Sequence, residues 1–170
     1  YKFGVYGDSI AFGYGNNGRS WFDIFTDKWV AIKLAQNGEK TTDVVKKIEK
    51  DNNHYQILIL AVGINDLLQD DNVSANCDIK AIIENYEKIL DVAIKKADKI
   101  IIQSVLPVRE ELFPEQNWLD KPQWAFNASI ENFNIKLQNL AQERKVTFLN
   151  AYDKFTLIEL TGVLIDAVHL

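Results

Sequence analysis

The sequence contains no methionine, a single cysteine (Cys77), two histidines and three prolines in 170 residues. One thiol excludes an internal disulfide and a cysteine-built metal cluster, and two imidazoles exclude a site of three histidine ligands. Long hydrophobic runs are also missing: Ile57 to Ile64 is under half of the roughly 20 residues a membrane-spanning helix needs, and no basic amphipathic helix stands out. Positive charge is in deficit, with 19 Lys and Arg against 24 Asp and Glu for a net charge of −5. Such a surface repels a polyphosphate backbone, so nucleic acid is not an expected partner. The lack of methionine, initiator included, is expected of a chain cut from a longer product, and no signal peptide precedes the first strand signal at Lys2. Cys77 fits either redox compartment. A cytoplasmic location is favoured, and export after removal of a leader stays open.

What remains is 47% apolar and 25% charged, the composition of one globular domain over residues 1–170. Apolar runs alternate with segments of helical period, which predicts an α/β fold with a mostly parallel five-stranded sheet. Strands are expected at Lys2 to Tyr6, Trp29 to Leu34, Gln56 to Val62, Lys99 to Leu106 and Val146 to Leu149. The third and fourth are almost wholly apolar, as central strands covered on both faces should be. Helices are expected from Thr41 or Thr42 to about Asp51, from Asp78 to Asp98 with Ile79, Ile82, Tyr86, Ile89, Ala93 and Ala97 on one stripe, and from Ser129 to Arg144. Pro107 to Trp124 reads as a long loop leaving the carboxyl end of the fourth strand, a place where binding walls occur.

Ligands of open parallel sheets sit beyond the carboxyl ends of the strands. Gly7-Asp8-Ser9 follows the first strand, Asn37-Gly38 the second and Gly63-Ile64-Asn65-Asp66 the third; Asp166-Ala167-Val168-His169 closes the chain. Acyl transfer requires a nucleophile, a base, a group that orients the base and donors for a developing oxyanion. Ser9 offers the hydroxyl, His169 the base and Asp166 the acceptor for the other ring nitrogen. The backbone N–H groups of Ser9 and Gly38 and the amide of Asn65 are candidate oxyanion donors. Taken singly each has a simpler reading: Gly-Asp-Ser and Gly38 as turn residues, Asn65-Asp66 as a cap, His169 as a solvated or core imidazole. Asp8 reads as turn-stabilising, His54 as a solvated loop residue, and Asp66 as a cap or a brace for Asn65. Asp70, Asp71, Glu110 and Glu111 read as a solvated face, so no metal and no cofactor are assigned.

In this order the four blocks resemble those of the SGNH hydrolases, the GDSL-type esterases and lipases, over Gly7 to His169. The resemblance implies a flavodoxin-like three-layer α/β/α fold and a metal-free ester or thioester hydrolase. Ser9, Asp166 and His169 would form the triad, and Ser9, Gly38 and Asn65 the oxyanion hole. Implied substrates are small-molecule, glycan or lipid esters, with short acyl groups preferred for so small a domain; Trp118, Trp124, Phe113 and Phe126 could line an acyl pocket or stack on a sugar. An acyl- or acetyltransferase on the same triad and a noncatalytic carbohydrate-binding module are the alternatives. Two departures from the family pattern stand out. Glu39 and Lys40 follow Gly38 where further glycines are common, and the chain stops at Leu170 where a closing helix is usual. The imidazole then needs anchoring by Leu164, Val168 and Leu170, or by further residues.

Overall fold

The computed structural model describes every residue except 26–28, 74–76, 115–120, 157–163, 165 and 170. Five strands, β1 (Lys2–Gly7), β2 (Val30–Lys33), β3 (Tyr55–Ala61), β4 (Ala97–Gln103) and β5 (Thr147–Leu149), form one sheet of order β2-β1-β3-β4-β5. Every neighbouring pair is parallel. This is a doubly wound order whose direction of growth reverses between β1 and β3, so a crevice opens beyond their carboxyl ends.

Alternation along each strand feeds two cores. Tyr6, Leu58, Leu60, Ile100 and Ile102 pack with three helices, α2 (Thr41–Lys50), α4 (Ile79–Ala93) and α5 (Asn127–Glu143). Phe3, Val5 and Ile59 face the opposite side, where Phe22, Phe25 and Trp29 pack near the short α1 (Ser9–Phe12) and the 3-10 turn Trp21–Phe25. Both faces are therefore covered, which explains why β3 and β4 read as continuous apolar runs. On α4 the side chains of Ile82, Tyr86, Ile89 and Leu90 are buried, each contributing about 2 kcal/mol of apolar transfer free energy. Two further short helices, α3 (Ile64–Leu67) and α6 (Tyr152–Thr156), follow β3 and β5.

The predicted helix to Asp98 ends at Ala93 instead. Ala97 begins β4, paired with Tyr55, because the ladder to β3 overrides a helical period that could have run on. The expected strand to Leu106 likewise stops at Gln103. Beyond it Val105 leaves the ladder, and its N–H and C=O are both bound by the Asn134 side chain of α5 at 2.9 Å. Within the predicted 107–124 loop, Glu110–Leu112 forms a 3-10 turn, and Trp124 closes a two-way backbone bridge with Gln69 at 2.9 Å. No helix among the described residues is long and apolar enough to cross a membrane.

Candidate active site

The site is built on close approach of two strand ends. Gly7 ends β1 so near β3 that a Cβ there would lie 2.7 Å from the Ala61 carbonyl oxygen, which leaves room for glycine alone. Asp8 then caps α1 by accepting the Ile10 N–H at 3.1 Å, and Ser9 opens the helix with its side chain turned toward the C-terminal segment. Ser9 Oγ lies 2.7 Å from His169 Nε2, and His169 Nδ1 lies 2.7 Å from Asp166 Oδ2.

The other oxygen of Asp166 accepts the backbone N–H groups of Val168 and His169 at 2.8 and 2.7 Å, so one carboxylate shapes the turn and orients the ring. Burial pushes the Asp166 carboxyl up, but the hydrogen bonds from the His169 ring and from the two backbone N–H groups outweigh it and leave the pKa below the usual value. An ionised Asp166 is acceptor-only, so Nδ1 carries the ring proton and Nε2 is left to accept from the Ser9 hydroxyl. His169 is 2% exposed, with the Tyr14 ring tilted against it at 4.4 Å between centroids.

The opposite wall comes from the second and third blocks. Glu39 N–H closes on the Gln36 carbonyl at 3.4 Å, with Gly38 at φ 73° in the third position of the turn. That left-handed conformation is what selects glycine, since a Cβ would meet nothing within 4 Å. Asn65 is buried at the start of α3 and donates one amide hydrogen to the Glu39 carbonyl at 3.1 Å, keeping the second for a ligand in the cleft it lines. Ser9, Gly38, Asn65 and His169 thus share one cleft of about 270 Å³, together with Tyr14, Asn37, Lys40, Leu68 and Gln123. Asp166 stands behind His169.

The remaining candidates go elsewhere. Asp66 accepts Thr41 N–H and Oγ1–H at 3.0 and 2.6 Å, tying α2 to α3, and burial raises its pKa. His54 pairs with Asp98 at 2.8 Å on the exposed, opposite end of the sheet. Asp70 binds Lys121 and Gln123, and Glu111 binds Arg109. Asp71 accepts the Val73 N–H and Glu110 the Asn127 N–H. No group of three or more His, Cys, Asp or Glu among the described residues could hold a metal ion. Leu164 and Val168 are buried, whereas Leu170 and Trp118 lie outside the described residues. Phe113, Trp124 and Phe126 do not line the cleft.

Sequence reading did not single out Tyr14, Leu68 or Gln123 as lining residues, whereas Lys40 stands out in sequence as a departure on the wall after Gly38. Of those three only Tyr14 left a signal, an aromatic between Gly13 and Gly15 directly after the Ser9 turn. Leu68 and Gln123 are brought together by the Gln69–Trp124 bridge, a long-range pairing with no local signature.

Solved structures with the same fold include a lipase/acylhydrolase from Enterococcus faecalis, 19% identical, with a TM-score of 0.76 over 99% of this chain and 86% of that one. An acetyl xylan esterase is 18% identical, with a TM-score of 0.77 over 100% and 91% of the two chains. A GDSL-like lipase from Bacteroides thetaiotaomicron is 20% identical, with a TM-score of 0.71 over 99% and 78%. No curated protein matches the chain in sequence. Residues 5–170 match the GDSL-like lipase/acylhydrolase family, a span that takes in all four blocks around the cleft, and the chain belongs to that family.

Proposed function

We propose that this protein hydrolyses carboxylic esters through an acyl-enzyme on Ser9. The observation that carries the reading is the continuous hydrogen-bonded line from Ser9 Oγ through both His169 nitrogens to Asp166, closed across 160 positions of sequence. His169 Nε2 takes the hydroxyl proton as Ser9 Oγ bonds to the ester carbonyl carbon, and the imidazolium formed is held by ionised Asp166. The carbonyl oxygen, now negative, is received by the Ser9 and Gly38 N–H groups and the free Asn65 amide hydrogen. Collapse expels the alcohol with the proton from His169. Water then attacks the acyl-enzyme with His169 as base, returning Ser9 and releasing the acid.

Short acyl groups are the preferred substrates. Among the described residues the cleft is about 270 Å³ and its apolar walls are Leu68 and the Tyr14 ring, dimensions that suit a short acyl group better than a fatty chain. The acetyl xylan esterase of the same fold is consistent with an acetyl ester as substrate. Labelling with a fluorophosphonate probe tests nucleophile, base and oxyanion site together. Labelling is expected at Ser9 in the wild type, and loss in S9A with strong slowing in H169A; wild-type protein that resists the probe, or S9A that accepts it, rejects the assignment. Highest kcat/KM at long acyl chains would reject the short-chain preference.

A further inference from the structure

Among the described residues, Lys40 is the one cleft-lining side chain that carries a permanent charge, and it is exposed at the lip formed by the Gly38 turn and the start of α2. Its backbone is fixed on both sides: its N–H donates to Asp43 at 3.1 Å, and Thr41 is bound by Asp66. Among the described residues the ammonium itself has no ion pair and no hydrogen bond, although its field favours the ionised forms of Asp66 and Asp70.

The acids around it are engaged elsewhere. Glu39 is buried against Lys47, Asp43 accepts the Lys40 N–H, Asp66 takes both donors of Thr41, and Asp70 is held by Lys121 and Gln123. A cation lining a ligand cleft, with each neighbouring carboxylate already bound by another donor, has an unused capacity for an anion. Asn37 adds an exposed amide on the same lip.

We propose that Lys40 makes the cleft selective for esters that bear a negative charge, such as a carboxylate or phosphate, on the part lying over the Gly38 lip. The inference rests on the ester-hydrolase reading and adds the substrate's charge to it. It concerns the residue at which this chain departs from the glycines expected after Gly38.

The test compares substrates that differ only in charge. One series pairs the acetyl esters of 4-hydroxybenzoate and 4-hydroxybenzamide, placing the charge on the alcohol; the other pairs the phenyl esters of adipate and adipamate, placing it on the acyl group. The ratio of kcat/KM, carboxylate over amide, is measured for wild type, K40Q and K40E at low and high salt. A single partly solvated ion pair predicts a ratio about fivefold higher in wild type than in K40Q, a further drop in K40E, and loss of the wild-type advantage at high salt. The series that responds tells which side of the ester meets the lip. A ratio that is no higher in wild type than in K40Q and K40E in both series overturns the proposal. Failure of the underlying reading looks different: neither ester of a pair is turned over, and Ser9 resists the fluorophosphonate.

Discussion

Replacement of Asp8 by Asn should stabilise the protein at alkaline pH and destabilise it at acidic pH. Asp8 is 3% exposed, and burial, the largest influence on it, pushes its pKa from 3.8 to about 7 against hydrogen bonds from the Ile10 and Gly63 N–H groups and the field of His169. A raised carboxyl pKa costs nothing below 3.8, where the side chain is protonated folded and unfolded alike. Between 3.8 and 7 the unfolded chain ionises and the folded one does not, so stability falls by up to 1.36 kcal/mol for each step of one in pH. Above 7 the loss levels off at about 4 kcal/mol, the whole interval between the two pKa values taken at that rate. Asn keeps the cap on α1 but offers one oxygen where the carboxylate has two, a loss of about 1 kcal/mol. D8N should therefore be about 0.5 kcal/mol less stable than wild type at pH 4 and about 3 kcal/mol more stable at pH 8, with a crossing near pH 4.5. Urea unfolding of both proteins at closely spaced pH values from 4 to 8 measures the difference directly, and titrating groups not coupled to Asp8 cancel in it. A difference that stays constant from pH 4 to 8 would show that Asp8 binds its proton equally in both states and refute the reasoning.

Four further outcomes are expected. D166N presents an amide donor to His169 Nδ1 and forces the wrong ring tautomer, so kcat should fall about 10⁴-fold; stopped-flow or steady-state turnover within tenfold of wild type would remove Asp166 from the mechanism. N65A should lower kcat by about 10²–10³ with KM within a few-fold, and a loss below tenfold would take Asn65 out of the oxyanion site. Because Gly38 has open space for a Cβ but φ of 73°, G38A should cost about 1–2 kcal/mol in urea unfolding and G38N, which tolerates that conformation, roughly half as much. Equal costs would mean that contact and not backbone strain selects glycine. The Glu39–Lys47 pair should show a coupling of about 1–2 kcal/mol in a double-mutant cycle of E39Q and K47M, since the Glu39 side chain is 3% exposed; additive effects would refute a desolvated pair.

All five strands and the three long helices were legible because covered strands are apolar throughout and surface helices carry a stripe. Boundaries failed where one long-range contact decided them. Nothing local distinguishes Ala97 as a helical residue from Ala97 as a strand residue; the Tyr55 partner does. That Ser9, Gly38 and Asn65 share one cleft was legible because a parallel sheet sends every strand's carboxyl end to one rim, whereas Asp166 and His169 follow no strand directly and were tied to Ser9 in sequence by the family resemblance. What the sequence hid is the support. Glu39 looks like a surface acid between Gly38 and Lys40, yet its side chain is buried on Lys47 and its carbonyl holds the Asn65 amide. A charged residue inside a turn carries no local mark of burial, and the partner eight positions on becomes visible only when α2 packs against the Leu34 end of β2, where Lys47 also donates to the Leu34 carbonyl.

The same logic accounts for how an imidazole so late in the chain is held still. Asn127, at the start of α5, binds both the N–H and the C=O of Val108 at 2.9 Å, which fixes the segment leaving β4. The next residue, Arg109, donates its N–H to the Ala167 carbonyl at 3.0 Å, while Ala167 and Val168 are buried in the larger core. Asp166 then gathers the Val168 and His169 N–H groups onto one oxygen, leaving its second oxygen for the ring. Orientation thus passes from a long helix through two loop residues to the backbone that carries His169, and only the last link is made by the ring itself. Rotation of His169, itself 2% exposed, away from Ser9 would break the Nδ1–Asp166 bond, and a broken charged hydrogen bond at a buried imidazole costs about 2–3 kcal/mol. The long loop after β4 therefore fixes the position of His169 from behind, whereas its far end at Gln123 forms part of the cleft wall.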